Sequence, residues 1–364
     1  HFPMFITVPK LCYSITPCVL MLYMHTAWTK MLWRSALGTV QAMSEKFGAR
    51  SSRLQSRADN PETTGYISFT SSHLALPIVI SSPHDGSEYP TDIPERQDGR
   101  RTPGNRTCHV PPCQCLYMPR RPRCDIRKLR DVNAGRAAEL LRDKLVELTG
   151  REPYLVKNLL HRSRLDMNRE ICEAAQCSAI AMETWRSYIA KVGEFRDAVR
   201  AQFGRGLFLD FHGREGAAEV QLGYGFTRSD YGEGAGLDAM SGKSFLHNQA
   251  GGRSQEDMIR GPQALGTRLT RAYPGLNTVP SRQVRAPTGR YLAGGYLSRR
   301  FGSRDGGTMD AIQVELSSSV RFNKRKMVHY ASAFANELLD WMGDVYGEGF
   351  AFGGWGPLPG GGSR

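Results

Sequence analysis

Short apolar runs alternate along the chain with longer segments of helical periodicity. The run LPIVIS at 76–81, rich in β-branched residues, and the run GLFLDF at 206–211 are bounded by turn residues, and both predict buried strands. Three weaker stretches also predict strands: residues 154–157, 219–226 and 312–316. The pattern therefore supplies five candidate strands.

Apolar side chains recur at helical spacing in the segments between these strands. Residues 131–148 predict a helix that Gly150 ends, residues 182–203 predict a long amphipathic helix, and residues 327–342 predict a closing helix. Strands that alternate with helices of about ten or more residues are typical of α/β proteins. We therefore expect an α/β fold with a mostly parallel sheet.

The positive charge of the chain is confined to two segments. The 364 residues include 48 Lys and Arg against 35 Asp and Glu, a formal charge of +13. Such a balance invites a nucleic-acid partner, because Lys and Arg neutralise phosphates. Residues 1–57 carry +6 and residues 96–130 carry +8, so the rest of the chain is close to neutral. No recognition motif accompanies the charge, and we expect no nucleic-acid partner.

The first part of the sequence predicts a segment outside the fold. Residues 11–24 have the length of the apolar part of a signal peptide behind Lys10, and residues 40–42 would suit its cleavage site. A disordered leader is the alternative. A proline, a histidine and a lysine interrupt the apolar stretch at 11–33, so we expect no stable membrane insertion.

Cysteine usage favours an oxidising compartment. Outside the leader the cysteines are Cys108, Cys113, Cys115, Cys124, Cys172 and Cys177. The first four are not spaced as paired CxxC zinc knuckles, and they lie in a Pro/Arg-rich loop without periodicity, so we favour disulfides over zinc. Asn105 opens a glycosylation sequon, which has meaning only in a secreted chain. We expect a secreted or extracytoplasmic protein with disulfide bonds.

Polar side chains stand at the ends of three predicted strands. His84 follows the strand at 76–81, His212 follows the strand at 206–211, and Glu315 lies near the end of the last strand. In parallel sheets the active site lies outside the carboxyl ends of the strands. Two histidines and a carboxylate at such positions indicate a metal site, although a single histidine there is more often a capping or packing residue.

A fourth candidate is the segment RSRLDMNR at 162–169. Arg162 stands at its start, and the pair Asn168 and Arg169 ends it. An arginine beside an amide offers bidentate recognition of a substrate carboxylate. A surface loop that holds a salt bridge is the alternative interpretation.

These motifs resemble the N-formylglutamate amidohydrolase family and, more distantly, the zinc carboxypeptidases and aspartoacylases of the same superfamily. The resemblance rests, in chain order, on PHDG at 83–86, RLDMNR at 164–169, DFHG at 210–213 and QVEL at 313–316. A eukaryotic, secreted-type branch is the most similar, because the chain also has DIPER at 92–96, a Cys-containing insertion and GSRDGGTMD at 302–310. The resemblance covers about residues 76–342.

The resemblance implies a three-layer α/β/α, zinc-exopeptidase-like fold with a mixed, mostly parallel sheet. It implies Zn²⁺ as the cofactor, with His84 and His212 as ligands. Glu315 occupies the position of the carboxylate that activates water at the zinc. Asn168 and Arg169 match the residues that bind a substrate carboxylate.

The resemblance also makes Arg162 the candidate that stabilises an oxyanion, and it leaves the third metal ligand open. Carboxypeptidases have a glutamate three residues after the first histidine, where this chain has Ser87. Asp131, in a position where the family often has Asp, is favoured over Glu88. Asp210 is expected to orient His212 rather than to bind metal.

The sequence thus predicts a zinc-dependent amidohydrolase that cleaves an amide bond in an N-acyl amino acid or a short peptide bearing a carboxylate. A non-catalytic secreted binding protein that retains the fold is the alternative. We expect a leader at 1–70, a catalytic domain at 71–346 that contains an Arg/Cys-rich insertion at 96–130, and a Gly-rich tail at 347–364. The oligomeric state and the actual substrate do not follow from the sequence.

Overall fold

The computed structural model describes residues 62–347, except for residues 72, 102, 105, 112, 119–123, 216–218, 233, 235, 240–252 and 288. The expected signal segment at 11–24 and its cleavage site at 40–42 lie outside the described residues. So do the sequon asparagine, Asn105, and the Gly-rich segment at 353–364.

The described residues form the strands β1 (Glu62–Thr64), β2 (Ile67–Thr70), β3 (Ala75–Ser82), β4 (Arg100–Arg101), β5 (Cys108–His109), β6 (Leu116–Tyr117), β7 (Glu152–Asn158), β8 (Gly206–Gly213), β9 (Glu219–Gly223), β10 (Asn277–Val279) and β11 (Met309–Leu316). They form the helices α1 (Ala134–Thr149), α2 (Ile171–Ala175), α3 (Ala179–Phe203), α4 (Gln255–Arg260), α5 (Leu265–Ala272), α6 (Tyr296–Phe301), α7 (Ser318–Arg321) and α8 (Lys324–Tyr346). None of these helices is long and apolar enough to cross a membrane.

Eight strands form one mixed sheet in the order β1-β2-β7-β3-β8-β11-β9-β10. Its four central strands, β7, β3, β8 and β11, are parallel neighbours. The antiparallel pairs are β1 with β2, β2 with β7, and β11 with β9, while β9 and β10 are parallel. The predicted mixed, mostly parallel sheet is confirmed.

Helices cover both faces of this sheet. Phe208 and Phe211 lie three positions apart on β8 and therefore point to opposite faces. Phe208 packs against Phe301 of α6, whereas Phe211 packs against Phe334 of α8. Helix α1 packs beside α8, and α3 packs against β3 and β7. The expected three-layer α/β/α architecture is confirmed.

The strands and helices predicted from the apolar pattern all occur, with shifts at their ends. The helix predicted at 131–148 begins only at Ala134, because Asn133 before it has a left-handed backbone with φ of 65°. Asp131 therefore precedes the helix instead of opening it. Gly150 ends α1 as predicted, with φ of 67°.

The fold begins earlier than predicted. Strand β2 is buried along its length and pairs with β7, so residues assigned to the leader at 1–70 belong to the main sheet. The sequence ETTGYISFT that forms β1 and β2 is short and largely polar, which hides it from a search for apolar runs. The boundary at residue 70 is therefore wrong, and the described part of the sheet starts at Glu62.

The Cys-rich insertion is a small unit joined covalently to the segment around α2. Its strands β4, β5 and β6 form an antiparallel sheet. The disulfide Cys108–Cys124 closes the insertion on itself, while Cys113–Cys177 and Cys115–Cys172 connect it to α2 and the residues just after it. The six cysteines are paired as disulfides, as the sequence favoured.

Candidate metal centre

Three of the predicted site residues lie at one edge of the sheet because their strands are parallel neighbours. His84 follows β3, His212 lies near the end of β8, and Glu315 lies near the end of β11. Glu315 is directly opposite His212 in the register of β8 and β11. The carboxyl ends of β3, β8 and β11 therefore gather these side chains as predicted from the sequence.

His84, Asp131 and His212 converge through one ligand atom each. Nδ1 of His84 lies 3.0 Å from Nδ1 of His212. Oδ2 of Asp131 lies 3.1 Å from the first nitrogen and 3.0 Å from the second. All three residues are buried, with at most 5% of their surface exposed. The structure thus brings together the three residues predicted as metal ligands.

Two further carboxylates fix the opposite ring nitrogens. Nε2 of His84 lies 2.6 Å from Oδ1 of Asp166, and Nε2 of His212 lies 2.9 Å from Oδ2 of Asp210. A carboxylate accepts hydrogen bonds, so each Nε2 carries the proton and donates it. In the neutral rings, both Nδ1 atoms then present lone pairs toward Asp131. This is the arrangement by which a carboxylate orients a metal-binding histidine.

The donor set fits a zinc ion. Two imidazole lone pairs and a carboxylate oxygen at contact distance are three acceptors, and a single metal ion can satisfy all three together. Ligand atoms that bind one zinc tetrahedrally at about 2.0–2.1 Å lie about 3.3 Å from one another, close to the spacing of these three atoms. Glu88, the alternative third ligand, is exposed and lies outside this group.

The electrostatics of the cluster reflect the same convergence. Burial acts to lower the pKa of His212, but the Asp210 and Asp131 carboxylates overcome it and raise that pKa to about 10. The pKa of Asp131 lies well below its ordinary value: burial would raise it, but the hydrogen bond from protonated His212, the contact with His84 and the positive charge of Arg162 overcome that effect. The cluster therefore binds positive charge strongly.

Local backbone contacts hold Asp131 beside His84, although 47 positions separate them in the chain. The amide of Asp131 donates to the carbonyl of His84 at 3.0 Å. Asp85 accepts from the amides of Asn133 and Gly135, each at 2.9 Å, and so joins the loop after β3 to the start of α1. This contact explains why Asp follows His in the PHDG motif.

Gly86 completes the motif for a steric reason. A Cβ atom at this position would lie 2.3 Å from the backbone carbonyl group of Leu159. Only glycine therefore allows the loop after β3 to approach the segment after β7 so closely. That second segment carries Arg162 and Asp166.

Glu315 presents one free carboxylate oxygen. Oε1 accepts a hydrogen bond from Nε2 of Gln313 at 2.7 Å. Within the described residues, Oε2 is buried and has no hydrogen-bond partner. Burial raises the pKa of Glu315 to about 7, although the positive charge of His212 acts against the shift. A carboxylate with this pKa is suited to accept and release a proton near neutral pH.

Arg162 and Asn168 are tied to the ligand cluster. Nε of Arg162 donates to Oδ2 of Asp166 at 3.0 Å, and its Nη1 donates to Oδ1 of Asp131 at 3.4 Å. The backbone amide of Asn168 donates to Oδ1 of Asp166 at 3.0 Å. Its Nδ2 lies 3.1 Å from Nε2 of His212, a contact between two donors and not a hydrogen bond. The Asn168 side chain also accepts from the amide of Leu297 at 3.0 Å. Both residues are therefore fixed beside the cluster.

Arg169 lies at the side of the cavity that faces α2. Its Nε donates to Oε1 of Glu173 at 2.8 Å, and its Nη1 donates to the carbonyl of Asn168 at 2.7 Å. The indole of Trp185 donates to the carbonyl of Arg169 at 3.0 Å. These contacts hold the guanidinium in place from one edge.

All seven predicted site residues line one cavity of about 450 Å³. They are His84, Asp131, Arg162, Asn168, Arg169, His212 and Glu315. Their individual roles stay predictions, but they converge from five separate segments of the chain. The volume is within the usual range for small-molecule sites.

Sequence reasoning missed two residues that support this cavity. Asp166 is fully buried and bridges His84 and Arg162. Arg96 is also buried, and its guanidinium donates to the backbone carbonyls of Arg127, Arg162 and Glu173. Both residues lie inside motifs that carried the resemblance, RLDMNR and DIPER, which was the available signal.

Several solved structures are similar to this chain. No protein-family model matches the chain, and no curated protein sequence matches it. The chain is similar to the N-formylglutamate amidohydrolase of Ralstonia eutropha JMP134 at 12% identity and a TM-score of 0.40, covering 75% of this chain and 98% of that one. A bacteriophage poly-gamma-glutamate hydrolase is similar at 14% identity and a TM-score of 0.33, covering 78% and 93%.

A metallo-carboxypeptidase of Burkholderia cenocepacia is similar at 11% identity and a TM-score of 0.35, covering 82% of this chain and 68% of that one. What this chain can do must therefore follow from its own side chains.

Proposed function

We propose that the chain is a zinc-dependent amidohydrolase, similar in activity to the N-formylglutamate amidohydrolase family that its motifs resemble. Its substrate is an N-acyl amino acid or a short peptide with a carboxylate near the scissile amide bond. His84, Asp131 and His212 would hold the metal. The three disulfides support a secreted or extracytoplasmic location, since such bonds persist in oxidising compartments.

One observation carries this proposal. Three metal-ligand atoms converge within 3.1 Å of one another in the same cavity as Glu315, a buried carboxylate opposite His212 whose Oε2 has no hydrogen-bond partner among the described residues. A structural metal site would be closed by its protein ligands, whereas a hydrolytic site needs a nearby base and room for substrate. This cavity offers both.

In the proposed reaction the metal site activates the reactants and Glu315 transfers the proton. Zinc bound here would supply Lewis-acid activation of water and of the substrate carbonyl. Glu315 takes a proton from the attacking water while the water oxygen forms a bond to the acyl carbon of the substrate. Glu315 then gives that proton to the nitrogen as the carbon–nitrogen bond breaks, which leaves a carboxylic acid and a free amine.

The remaining residues act on charge and orientation. Arg162, held by Asp166 and Asp131, would stabilise the negative charge that develops on the carbonyl oxygen. Arg169 and Asn168 would bind the carboxylate of the substrate and align its amide bond with the metal ligands. Asp166 and Asp210 would keep both histidines in the ligating tautomer.

A zinc assay combined with a substrate screen tests the proposal. Purified protein is analysed for metal by mass spectrometry and is then assayed with a panel of N-acyl amino acids, including N-formylglutamate. We expect about one zinc per chain and release of free amine. Glu315→Gln should lower kcat by about 10²–10⁴-fold and keep the zinc.

Glu183→Gln is the matched control, because Glu183 is an exposed glutamate on α3, and it should retain full activity. Full activity in Glu315→Gln would refute the mechanism. A correctly folded protein that holds no metal and hydrolyses nothing would instead support the non-catalytic binding protein.

A further inference from the structure

A second cavity of about 420 Å³ adjoins the first. The two share the lining residues Arg127, Asp131, Gly213, Arg290 and Leu292. We name the second cavity the basic pocket. Because Asp131 and Gly213, which follows His212, line both spaces, the basic pocket lies beside the ligand cluster.

The residues proposed to bind the substrate carboxylate do not line the basic pocket. Asn168 and Arg169 line the first cavity only. A substrate whose carboxylate lies at Arg169 and whose amide lies at the ligand cluster would therefore extend its other end, the acyl part, toward the basic pocket.

The wall of the basic pocket is rich in positive charge. Its basic side chains are Arg127, Lys128, Arg130, Arg214, Arg290 and Arg321, and its described acidic residues are Asp131 and Glu215. Lys128, Arg130 and Arg214 each pair with one carboxylate outside the lining. Of the two acidic residues in the described lining, Asp131 belongs to the ligand cluster. Glu215 is therefore the remaining acid that lines the pocket with these cations.

The positive charge of Arg321 is held in a fixed position in the wall of the basic pocket. Its guanidinium is buried and donates to the backbone carbonyls of Leu316, Val132 and Arg214. No carboxylate of the described chain forms an ion pair with it. The carboxylates of Asp131, Glu315, Asp85 and Glu215 act on it electrostatically without pairing with it. A positive charge whose hydrogen-bond partners are neutral carbonyls can still attract an anion between low-dielectric walls.

We propose that the basic pocket binds an anionic acyl group, so that the preferred substrates carry a carboxylate on each side of the scissile amide. Arg127 and Arg290, which line both cavities, are the specificity-determining residues. This inference rests on the proposed function for the position of the scissile bond. The substrate class is N-acyl amino acids with an acidic acyl group, or short acidic peptides.

The Arg/Cys-rich insertion supplies half of these cations. It contains Arg127, Lys128 and Arg130. The guanidinium of Arg96 donates to the carbonyl of Arg127 and so supports this part of the wall. The disulfides to Cys172 and Cys177 hold the insertion against the segment that carries Arg169. Part of the positive charge noted in the sequence is therefore placed where it can select substrate.

The test compares two probes that differ by one charge. N-succinyl-L-glutamate has a terminal carboxylate on its acyl group, and N-succinamoyl-L-glutamate has a neutral carboxamide of the same shape. We expect zinc-loaded protein to prefer the first by about tenfold or more in kcat/KM, the value of one charged hydrogen bond. The double variant Arg127→Gln/Arg290→Gln should lose this preference through KM and keep its zinc.

Arg325→Gln is the control, because Arg325 is exposed and lies outside both cavities. It should keep the preference. Equilibrium binding of both probes, measured by calorimetry on Glu315→Gln protein loaded with zinc, separates recognition from turnover.

Each outcome decides something. Hydrolysis of both probes at equal kcat/KM, or a preference that survives the double variant, overturns the basic pocket and leaves the hydrolase intact. Tighter binding of the anionic probe that depends on Arg127 and Arg290, without any hydrolysis, supports the pocket and overturns the proposed function. If the protein neither hydrolyses the probes nor binds one more tightly than the other, both the basic pocket and the proposed function are overturned.

Discussion

His84 and His212 face each other through the same ring nitrogen, Nδ1, at 3.0 Å. Two lone pairs at that distance repel unless a proton or a metal ion lies between them. Asp131 places a carboxylate oxygen beside both nitrogens. The three atoms therefore need a shared proton or a bound metal ion, and several properties of the protein follow from this relationship.

The identity of the third ligand gives the first prediction. Asp131→Asn should weaken zinc affinity by more than about 100-fold, because it removes the negative charge that faces both histidines. Glu88→Gln should leave the affinity within about twofold, since Glu88 is exposed and outside the cluster. Competition with a chromophoric chelator measures both. The reverse result would make Glu88 the ligand.

The raised pKa of His212 gives the second prediction. In protein stripped with a chelator, a pKa of about 10 keeps the imidazole of His212 protonated at about pH 8, where the unfolded value of about 6.5 would leave it neutral. Zinc needs the lone pair, so binding at about pH 8 should release close to one proton.

Glu315, with a pKa of about 7, is already mostly ionised at about pH 8 and contributes little to the proton release on zinc binding. Apparent zinc affinity should rise about tenfold per pH unit up to about pH 10 and then level off. Calorimetry in two buffers of different ionisation enthalpy counts the protons. Binding without proton release would contradict the assigned charge state of His212.

Asp166 gives the third prediction. Asp166→Asn should lower zinc affinity by about 10–100-fold, because His84 loses the carboxylate that orients its Nε2 proton. The same change weakens the support of Arg162, so kcat should fall further than zinc occupancy explains. Asp92→Asn, at an exposed position, is the control. Unchanged zinc affinity in a folded Asp166→Asn protein would refute the orienting role.

A pair of glycines gives the fourth prediction. Gly86→Ala should lower the free energy of unfolding by about 1–3 kcal/mol, since the new Cβ overlaps the backbone of Leu159. Gly193→Ala should raise it by about 0.5–1 kcal/mol, because Gly193 lies inside α3 with open space around its Cα. Chemical denaturation measures both. Equal effects would show that the loop after β3 tolerates a side chain.

The sequence predicted those parts of the fold whose signal is local. The buried strands β3, β8 and β11 are short apolar runs, and a polar residue at the end of each one is visible without any structure. Parallel pairing then dictates that His84, His212 and Glu315 meet at one edge. This is why three site residues could be brought together by reasoning on the sequence alone.

The parts that were missed depend on contacts between distant segments. Asp166 acquires its place through a contact with His84, 82 positions away in the chain. Arg96 connects three loops through their carbonyls, and no spacing reveals a partner of that kind. Six cysteines allow 15 pairings, so the disulfide connectivity needed coordinates. Strand β2 shows its membership in the sheet only through pairing with β7.

The disulfides Cys113–Cys177 and Cys115–Cys172 have a consequence for how the protein matures. They join the wall of the basic pocket to the helix that follows Arg169, so both ends of the proposed substrate site are completed by the same oxidation events. A newly made chain with free thiols would lack both covalent links between the insertion and the segment around this helix. Oxidative folding would then fix the two ends of the proposed substrate site relative to each other.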